Sequence, residues 1–391
     1  MPRIELADRI RNLPPYPFAA IDKARAKAKA EGKDIISLGI GDPDLPTPAF
    51  IVEAAREAAR DPRTHRYPDY TGRLDYREAA ARYMKKRFGA SFDAATEVLA
   101  LIGSKEGIAH IPLAYINPGD LALVPNPGYP VYAVATAFCG GIVHDMPLAA
   151  ERNFTPDLAA IPTEWARRAK LMFLNYPNNP TGAVVSAAFL REAVAFCREF
   201  DILLVYDNAY SELAFEGYRP MSIFEIDGAR EIAIEMHSLS KSFNMTGWRI
   251  GWACGDAAYV GGLGQVKTNV DSGAFDAIQI AGIAALDRHD DPIVLANYEI
   301  YGHRRRVCEA RLGEMGIEFL KSPATFYVWC RVPTDETSAA FVSRVLETTG
   351  VVFTPGTAFG RAGEGWFRIA LTVDEPRMIE ALDRVRILLG K

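Results

Sequence analysis

The stretch HSLSKSFNMTGWRIGW, residues 237–252, decides how the rest of the chain is interpreted. It follows the apolar run IAIEM, which is typical of a buried strand, and it contains Lys241 and, eight residues later, Arg249. A lysine alone is usually a solvated surface charge. In a serine-rich loop directly after a buried strand it is a candidate Schiff-base nucleophile, because its pKa falls when it loses water. Ser238, Ser240 and Arg249 supply the hydrogen bonds and permanent positive charge that a phosphate needs.

Apolar runs alternate with helical patterns from about residue 47 to residue 285. Seven of these runs indicate strands, namely EVLALIG, LALVPN, GIVHDMPL, KLMFLNYP, DILLVYD, IAIEMHS and RIGWACG. Near-continuous apolar strands that alternate with helices predict a mostly parallel sheet covered on both faces. The predicted fold class is therefore α/β, and we expect a ligand beyond the carboxyl ends of the strands.

The flanking segments predict a second, smaller α+β domain. Thr47 is expected to cap a helix over PAFIVEAAREAAR, and residues 275–313 predict one long helix that could break at residues 290–292. Short strands and two helices are expected after it. We place the large domain at residues 46–285 and the small domain at residues 1–45 and 286–391, with LPPYPF as an extended N-terminal arm because prolines disrupt a helix interior.

The bulk composition excludes several classes of protein. The 391 residues carry a formal net charge of −5 without a basic stripe, so we expect no nucleic-acid partner. Neither an apolar leader nor an apolar run of about 18 residues is present, so we expect no export signal and no membrane span. The five cysteines are scattered, without a C-x-x-C pair or a histidine cluster. We therefore expect reduced thiols, no metal site and a cytoplasmic location.

Two motifs place hydrogen-bonding groups where predicted strands end. GSKEG, residues 103–107, opens a helix and predicts an anion site of backbone N–H groups, although a plain N-cap serine is an equally good interpretation. NYPNNPTG, residues 175–182, is explained by turn formation alone. Its adjacent asparagines also offer amide donors to a ligand oxygen.

Two charged residues stand within apolar surroundings. Asp207 follows DILLVY, and because a buried carboxylate is costly unless it is paired, we expect a cationic group to face it. A helix N-cap is the alternative role, and Tyr210 lies close enough along the chain to serve the same ligand. Arg368 in GWFRIALT is either a surface charge or a bidentate clamp for a carboxylate.

Together these features require one ligand with a phosphate, an aldehyde for Lys241, a protonatable ring nitrogen for Asp207, and a phenolic oxygen for Asn179 and Tyr210. Pyridoxal 5′-phosphate has all four groups and acts as an electron sink in carbanion chemistry. Arg368 would then hold the α-carboxylate of an amino-acid substrate.

The whole chain resembles the fold-type I pyridoxal-phosphate aminotransferases of class I/II. The resemblance is carried by an ordered set of motifs, namely LGIGDPDLPTP, YPDYTGRLDYREAAARY, GSKEG, NPGYPVY, YPNNPTG, VYDNAY, SLSKSFNMTGWRIGW and FRIAL. It implies a seven-stranded large domain, a homodimer with shared active sites, and amino-acid and 2-oxo-acid substrates.

The resemblance also assigns roles by position. Lys241 matches the lysine that binds the cofactor aldehyde and carries the substrate's α-proton, and Asp207 would pair with the ring nitrogen. Asn179 and Tyr210 would hold the ring hydroxyl, with Tyr210 also serving catalysis. The phosphate would be lined by Ser104, Lys105, Ser238, Ser240 and Arg249, and by Tyr67 from the partner subunit. Tyr129 would stack on the ring. The substrate would contact Tyr16, Gly41, Lys105, Tyr129, Asn179 and Arg368.

Within the family, LGIGDPDLPTP and TNVDSGAFDAIQ most resemble the LL-diaminopimelate aminotransferase branch, which transfers an amino group from LL-diaminopimelate to 2-oxoglutarate in lysine synthesis. The chain departs from that branch at Ser272, where better-known members have an asparagine–glycine pair. The alternatives are an aspartate, alanine or aromatic aminotransferase and a pyridoxal-dependent carbon–sulfur β-lyase. A nicotinamide dehydrogenase lacks support, because no G-x-G-x-x-G turn follows the first strand.

Overall fold

The computed structural model describes residues 4–13 and 17–391. The helices are α1 (Asp8–Arg11), α2 (Pro17–Ala30), α3 (Ala49–Arg60), α4 (Leu74–Phe88), α5 (Ser104–Tyr115), α6 (Val131–Phe138), α7 (Thr163–Ala166), α8 (Ala187–Phe200), α9 (Leu239–Ser242), α10 (Ala257–Val270), α11 (Asp276–Asp287), α12 (Pro292–Glu314), α13 (Ser338–Thr349) and α14 (Glu375–Leu388). The strands are β1 (Ile36–Ser37), β2 (Val98–Leu101), β3 (Leu121–Asn126), β4 (Ile142–Pro147), β5 (Ala169–Asn175), β6 (Leu203–Asp207), β7 (Ala233–Ser238), β8 (Gly251–Gly255), β9 (Tyr327–Arg331), β10 (Val351–Val352), β11 (Thr354–Pro355) and β12 (Trp366–Ala370).

Within the described residues, seven strands form the central sheet in the order β2-β8-β7-β6-β5-β3-β4. β8 runs antiparallel to both of its neighbours, and the remaining pairs are parallel. All seven strands predicted from apolar runs are present, so the prediction of a mostly parallel α/β sheet is confirmed. The edge strand β4 is partly exposed, whereas β2, β3 and β6 are fully buried because helices cover both faces.

The smaller layer joins the two ends of the chain. β9, β11 and β12 form an antiparallel sheet, and β1 pairs in parallel with β10. Arg368 lies on β12 opposite Trp329 of β9. The pairing of β1 with β10 brings the segment before residue 45 against the C-terminal third of the chain. The domain limits at residues 45/46 and 285/286 stay a prediction.

Residues 275–313 form two helices, as the predicted break allowed: α11 ends at Asp287, and α12 begins at Pro292 after Asp291, whose side chain caps it. The interruption, residues 288–291, overlaps the predicted break at residues 290–292. The prediction for Thr47 was wrong. Thr47 does not cap α3, which has Pro48 at its N-cap position; its hydroxyl instead donates a 2.7 Å hydrogen bond to the carbonyl of Asn244.

α2 begins at Pro17, within the LPPYPF segment that the sequence predicts to be extended, so that prediction is wrong for residues 17–18. The first helical position accepts proline because the N–H there has no partner within the helix. No helix in residues 4–13 or 17–391 is both long enough and apolar enough to cross a lipid bilayer.

Candidate active site

A cavity of about 440 Å³ lies where the parallel strands of the central sheet end. Many of the lining residues lie at or just after the carboxyl ends of β2, β3, β5, β6 and β7. Others lie just after β1 or within β9 and β12. The lining residues are Ile40, Gly41, Asp42, Ser104, Lys105, Tyr129, Asn175, Asn179, Asp207, Ala209, Tyr210, Ser238, Ser240, Lys241, Thr246, Arg249, Tyr327 and Arg368.

The lining includes all the residues that the sequence predicted for the site except two. Tyr67 lies outside the cavity, is 85% exposed, and lines a separate open cleft with Arg73 and Asp276. The contact expected between Tyr67 and the cofactor phosphate bound in the partner subunit stays a prediction. Tyr16, expected at the substrate end, lies outside the described residues.

One end of the cavity is suited to an anion. We call the group formed by Gly103, Ser104, Lys105, Ser238, Ser240 and Arg249 the cradle. Gly103, not Ser104, is the N-cap of α5, so the alternative of a plain N-cap serine is wrong. The first N–H groups of a helix have no partner within the helix and attract anions.

Gly103 and Arg249 are packed against each other in the cradle. Gly103 has a φ of 96°, and a Cβ there would lie 2.4 Å from Nη2 of Arg249, so only glycine fits. The guanidinium donates a 2.8 Å hydrogen bond to the carbonyl of Thr246, and its Nη1 lies 3.5 Å from Oγ of Ser240. A permanent cation therefore faces the start of α5.

Asp207, at the end of β6, is a buried carboxylate with one oxygen engaged. Its Oδ2 accepts a 2.7 Å hydrogen bond from the hydroxyl of Tyr132, while Oδ1 has no hydrogen-bond partner among the described residues. Burial raises the pKa of Asp207 to about 6, although the Tyr132 hydrogen bond and the nearby His237 oppose the rise. A turn follows at residues 209–212, so the N-cap alternative is wrong. The carboxylate is placed to receive a cationic ligand.

Lys241 lies on the short helix α9, which the side chain of Ser238 caps. Its ammonium donates a 2.7 Å hydrogen bond to the carbonyl of Gly41. Burial lowers the pKa of Lys241 to about 8, and the charges of Arg368 and Arg249 act in the same direction. A lysine with such a pKa has an uncharged, nucleophilic fraction at neutral pH.

Arg368 is a buried residue in the wall of the cavity. It donates 2.7 Å hydrogen bonds to Oδ1 of Asn179 and to the carbonyl of Gly39, and it stacks over the ring of Tyr327 at 4.2 Å. The hydroxyl of Tyr327 lies 3.0 Å from that of Tyr210. The surface-charge interpretation of Arg368 is therefore wrong, since the guanidinium is only 2% exposed.

The sequence did not single out several residues that shape the site. The cavity is also lined by Tyr327, Ile40, Asp42, Asn175, Ala209 and Thr246. Tyr132, which does not line it, donates a hydrogen bond to Asp207. Tyr132 lies three residues after Tyr129 in NPGYPVY, so its helical spacing could have indicated a shared location. Tyr327 carries no such signal, because an aromatic residue within a strand is usually part of the core.

The chemistry of these residues fits pyridoxal 5′-phosphate. The cradle suits a phosphate, the open oxygen of Asp207 suits a cationic ring nitrogen, and the amine of Lys241 suits an aldehyde. A doubly wound sheet with this site at its carboxyl edge defines a pyridoxal-phosphate-dependent enzyme.

The chain belongs to the aminotransferase class I and II family, whose model matches residues 33–385. It is 54% identical over 385 residues to an LL-diaminopimelate aminotransferase of Desulforudis audaxviator and 53% identical over 382 residues to one of Syntrophobacter fumaroxidans, and each match covers 98% of both chains. A substrate-bound structure of BacF from Bacillus subtilis superposes with a TM-score of 0.94 at 38% identity, over 99% of this chain and 98% of that one. The protein is thus a pyridoxal-phosphate-dependent aminotransferase.

Proposed function

We propose that the enzyme transfers the α-amino group of LL-diaminopimelate to 2-oxoglutarate in lysine biosynthesis. The observation that carries this proposal is the full-length identity of 54% and 53% to relatives bearing the name LL-diaminopimelate aminotransferase. The cavity supports it, because it combines a nucleophilic lysine with a buried arginine.

The cofactor would be held at three points. The cradle would bind its phosphate, and Asp207 would pair with its ring nitrogen through the open Oδ1. Tyr210 and Asn179 would hold the ring hydroxyl, and Tyr129 would stack on the ring. When bound, the cofactor supplies an electron sink for the negative charge left after an α-proton is removed.

Lys241 would bind the cofactor aldehyde and move the proton. Its amine lies 2.7 Å from the carbonyl of Gly41, and both residues line the cavity together with Arg368. Because its pKa is lowered to about 8, the amine can accept an α-proton at neutral pH and return it to a neighbouring atom. Asp207 stays ionised when it is paired with a cation, since an opposite charge lowers its pKa.

Arg368 would orient the substrate. A buried guanidinium is always charged, and its planar fork matches a carboxylate in bidentate fashion. Its existing hydrogen bonds to Asn179 and Gly39 fix that fork in the cavity. Gly41, Lys105, Tyr129, Asn179 and Tyr16 would complete the substrate end.

We also propose that the enzyme works as a cytoplasmic homodimer. Two observations support this: the exposure of Tyr67, which a partner subunit would cover, and the five free cysteines, four of them buried.

A donor screen against 2-oxoglutarate tests the proposal. LL-diaminopimelate should exceed aspartate, alanine and phenylalanine in kcat/KM by about a hundredfold, and meso-diaminopimelate serves as the matched stereochemical control. A higher kcat/KM for any of the other donors would refute the assigned substrate. Release of ammonia and pyruvate from a cysteine conjugate, without amino transfer, would indicate a β-lyase.

A further inference from the structure

Lys267 is a buried lysine outside the cavity. It lies on α10, is 1% exposed, and its ammonium donates hydrogen bonds to two carboxylates. Both oxygens of Glu106 accept at 3.1 Å, and Oδ1 of Asp271 accepts at 2.8 Å. A charge removed from water in this way is tolerated only with such partners.

Glu106 connects this lysine to the cradle. It is the third residue of α5, two positions after Ser104, and its Oε2 accepts a 2.7 Å hydrogen bond from the backbone N–H of Ile102. Ile102 directly precedes Gly103. The carboxylate therefore fixes the backbone on both sides of the turn that presents Ser104 and Lys105 to the cavity.

The charges in this arrangement oppose phosphate binding unless Lys267 is present. A carboxylate in the first turn of α5 lies near the place where a phosphate dianion would bind, and like charges repel more strongly in a protein interior than in water. The ammonium of Lys267, which does not line the cavity, neutralises that carboxylate through both of its oxygens. Asp271, the second carboxylate on Lys267, also accepts a hydrogen bond from the N–H of Gly273.

We propose that Lys267 is a positioning residue for the cofactor phosphate: it holds Glu106 neutralised and oriented, so that the turn formed by Gly103, Ser104 and Lys105 keeps its anion-binding shape. This inference rests on the proposed role of the cradle as the phosphate site.

The test measures affinity for two ligands in cofactor-depleted, full-length protein. Pyridoxal 5′-phosphate carries the phosphate, and pyridoxal lacks it but offers the same aldehyde and ring. In the Lys267→Met variant, the Kd for pyridoxal 5′-phosphate should rise about tenfold or more, while that for pyridoxal changes less than about twofold. A general loss of structure would weaken both ligands alike.

Two further variants separate charge from packing. Glu106→Gln/Lys267→Met removes the carboxylate in the first turn of α5 together with its ammonium partner, while Asp271 keeps its hydrogen bond from the N–H of Gly273. The affinity of this double variant for pyridoxal 5′-phosphate should return to within about threefold of wild type. If Lys267→Met does not fold, Glu106→Ala replaces it, because alanine removes the acceptor for Ile102 whereas Glu106→Gln keeps one. Glu106→Ala should lose phosphate-dependent affinity, and Glu106→Gln should retain it.

Arg87→Met is the matched control. Arg87 forms a largely buried 3.0 Å ion pair with Glu212, away from the cradle, so its loss should lower stability without changing the ratio of the two affinities. An unchanged ratio in both Lys267→Met and Glu106→Ala would overturn the inference. If wild-type protein itself bound pyridoxal as tightly as pyridoxal 5′-phosphate, the proposed phosphate site would be wrong instead.

Discussion

Asp207 and Glu235 are buried carboxylates on neighbouring strands of the central sheet, and their surroundings differ. Glu235 is fully buried and accepts hydrogen bonds from Nδ2 of Asn208 at 2.8 Å, Oγ of Ser222 at 2.5 Å and the N–H of Ile223 at 3.0 Å. Asp207 lines the cavity; it is bonded to Tyr132 through one oxygen, and the other has no hydrogen-bond partner among the described residues.

The difference shows how to separate structural from functional charges in this molecule. A buried charge whose hydrogen bonds are all supplied by the fold stabilises the fold, whereas a buried charge with an open position is held ready for a ligand. Two lysines differ in the same way. Lys267 is buried and donates to two carboxylates, so it can act on a ligand only through Glu106. Lys241 is partly buried, lines the cavity, donates to a backbone carbonyl and has a pKa lowered to about 8.

Loss of Lys241 should give the largest effect. Lys241→Ala should lower kcat by about 10⁴-fold or more, because no other group would bind the aldehyde and carry the proton. The rate is measured in a single half-reaction with saturating amino donor. Lys86→Ala, which removes an exposed lysine bonded to Asp290, is the control and should keep full activity. A Lys241→Ala enzyme within tenfold of wild type would refute the assignment.

The carboxylate pair should separate activity from stability. Asp207→Asn should lower kcat about 10²- to 10³-fold, because an uncharged amide no longer keeps the ring nitrogen cationic. Glu235→Gln should leave kcat within about twofold but cost about 2 kcal/mol of unfolding free energy, since an NH₂ group would then face a donor. Steady-state kinetics and urea denaturation test both. Equal losses of kcat in the two variants would show that Asp207 and Glu235 do not divide into a functional and a structural carboxylate.

The raised pKa of Asp207 predicts a pH dependence in the cofactor-free protein. Its folded pKa of about 6 exceeds the unfolded value near 3.8, so the native state binds the proton more tightly. The contribution of this group to stability therefore falls as pH rises from about 4 to 6 and stays at its minimum above pH 6. Two pKa units correspond to about 3 kcal/mol.

Asp207→Asn lacks this titration. The variant should gain up to about 3 kcal/mol over wild type at pH 7.5, and little at pH 4, as urea unfolding at each pH would show. Saturation with pyridoxal 5′-phosphate should reverse the sign of the difference at pH 7.5, because the cofactor's cation stabilises the carboxylate. Parallel stability curves across the pH range would contradict the assigned pKa.

Tyr132 should give the smallest effect. Tyr132→Phe removes the hydrogen bond to Oδ2 of Asp207 and should lower kcat about tenfold, since a net hydrogen bond to a charged group contributes about 1.5–3 kcal/mol. Tyr76→Phe removes another buried hydroxyl, which donates to the carbonyl of Gly251 at 3.1 Å, and should change stability but not kcat. Similar kinetics in the two variants would place Tyr132 outside the site.

The strands and the strand-end residues could be predicted because they produce a strong local signal. Polar or aromatic site residues follow five of the seven apolar runs in the central sheet, those of β2, β3, β5, β6 and β7, and parallel strands bring those ends to one edge. Asp207 and Lys241 are therefore expected at one site from the sequence alone, although they follow different strands of the sheet.

The remainder could not be predicted because it depends on contacts distant in sequence. Tyr132 and Tyr327 have the pattern of core aromatics, and only the fold shows that their hydroxyls reach Asp207 and Tyr210. Thr47 has the sequence position of a helix N-cap, but its hydroxyl donates a hydrogen bond to the carbonyl of Asn244, nearly two hundred residues away. The role of Tyr67 depends on a second copy of the chain, which no single-chain pattern describes.

The decisive measurement asks whether Lys241 forms an imine with the cofactor aldehyde. The purified enzyme is reduced with borohydride in the presence of pyridoxal 5′-phosphate, and its peptides are then mapped by mass. We predict one pyridoxyl modification per chain, on the peptide that contains Lys241, and its loss when excess amino donor is added before reduction. A modification confined to another lysine, or none at all, would contradict the account.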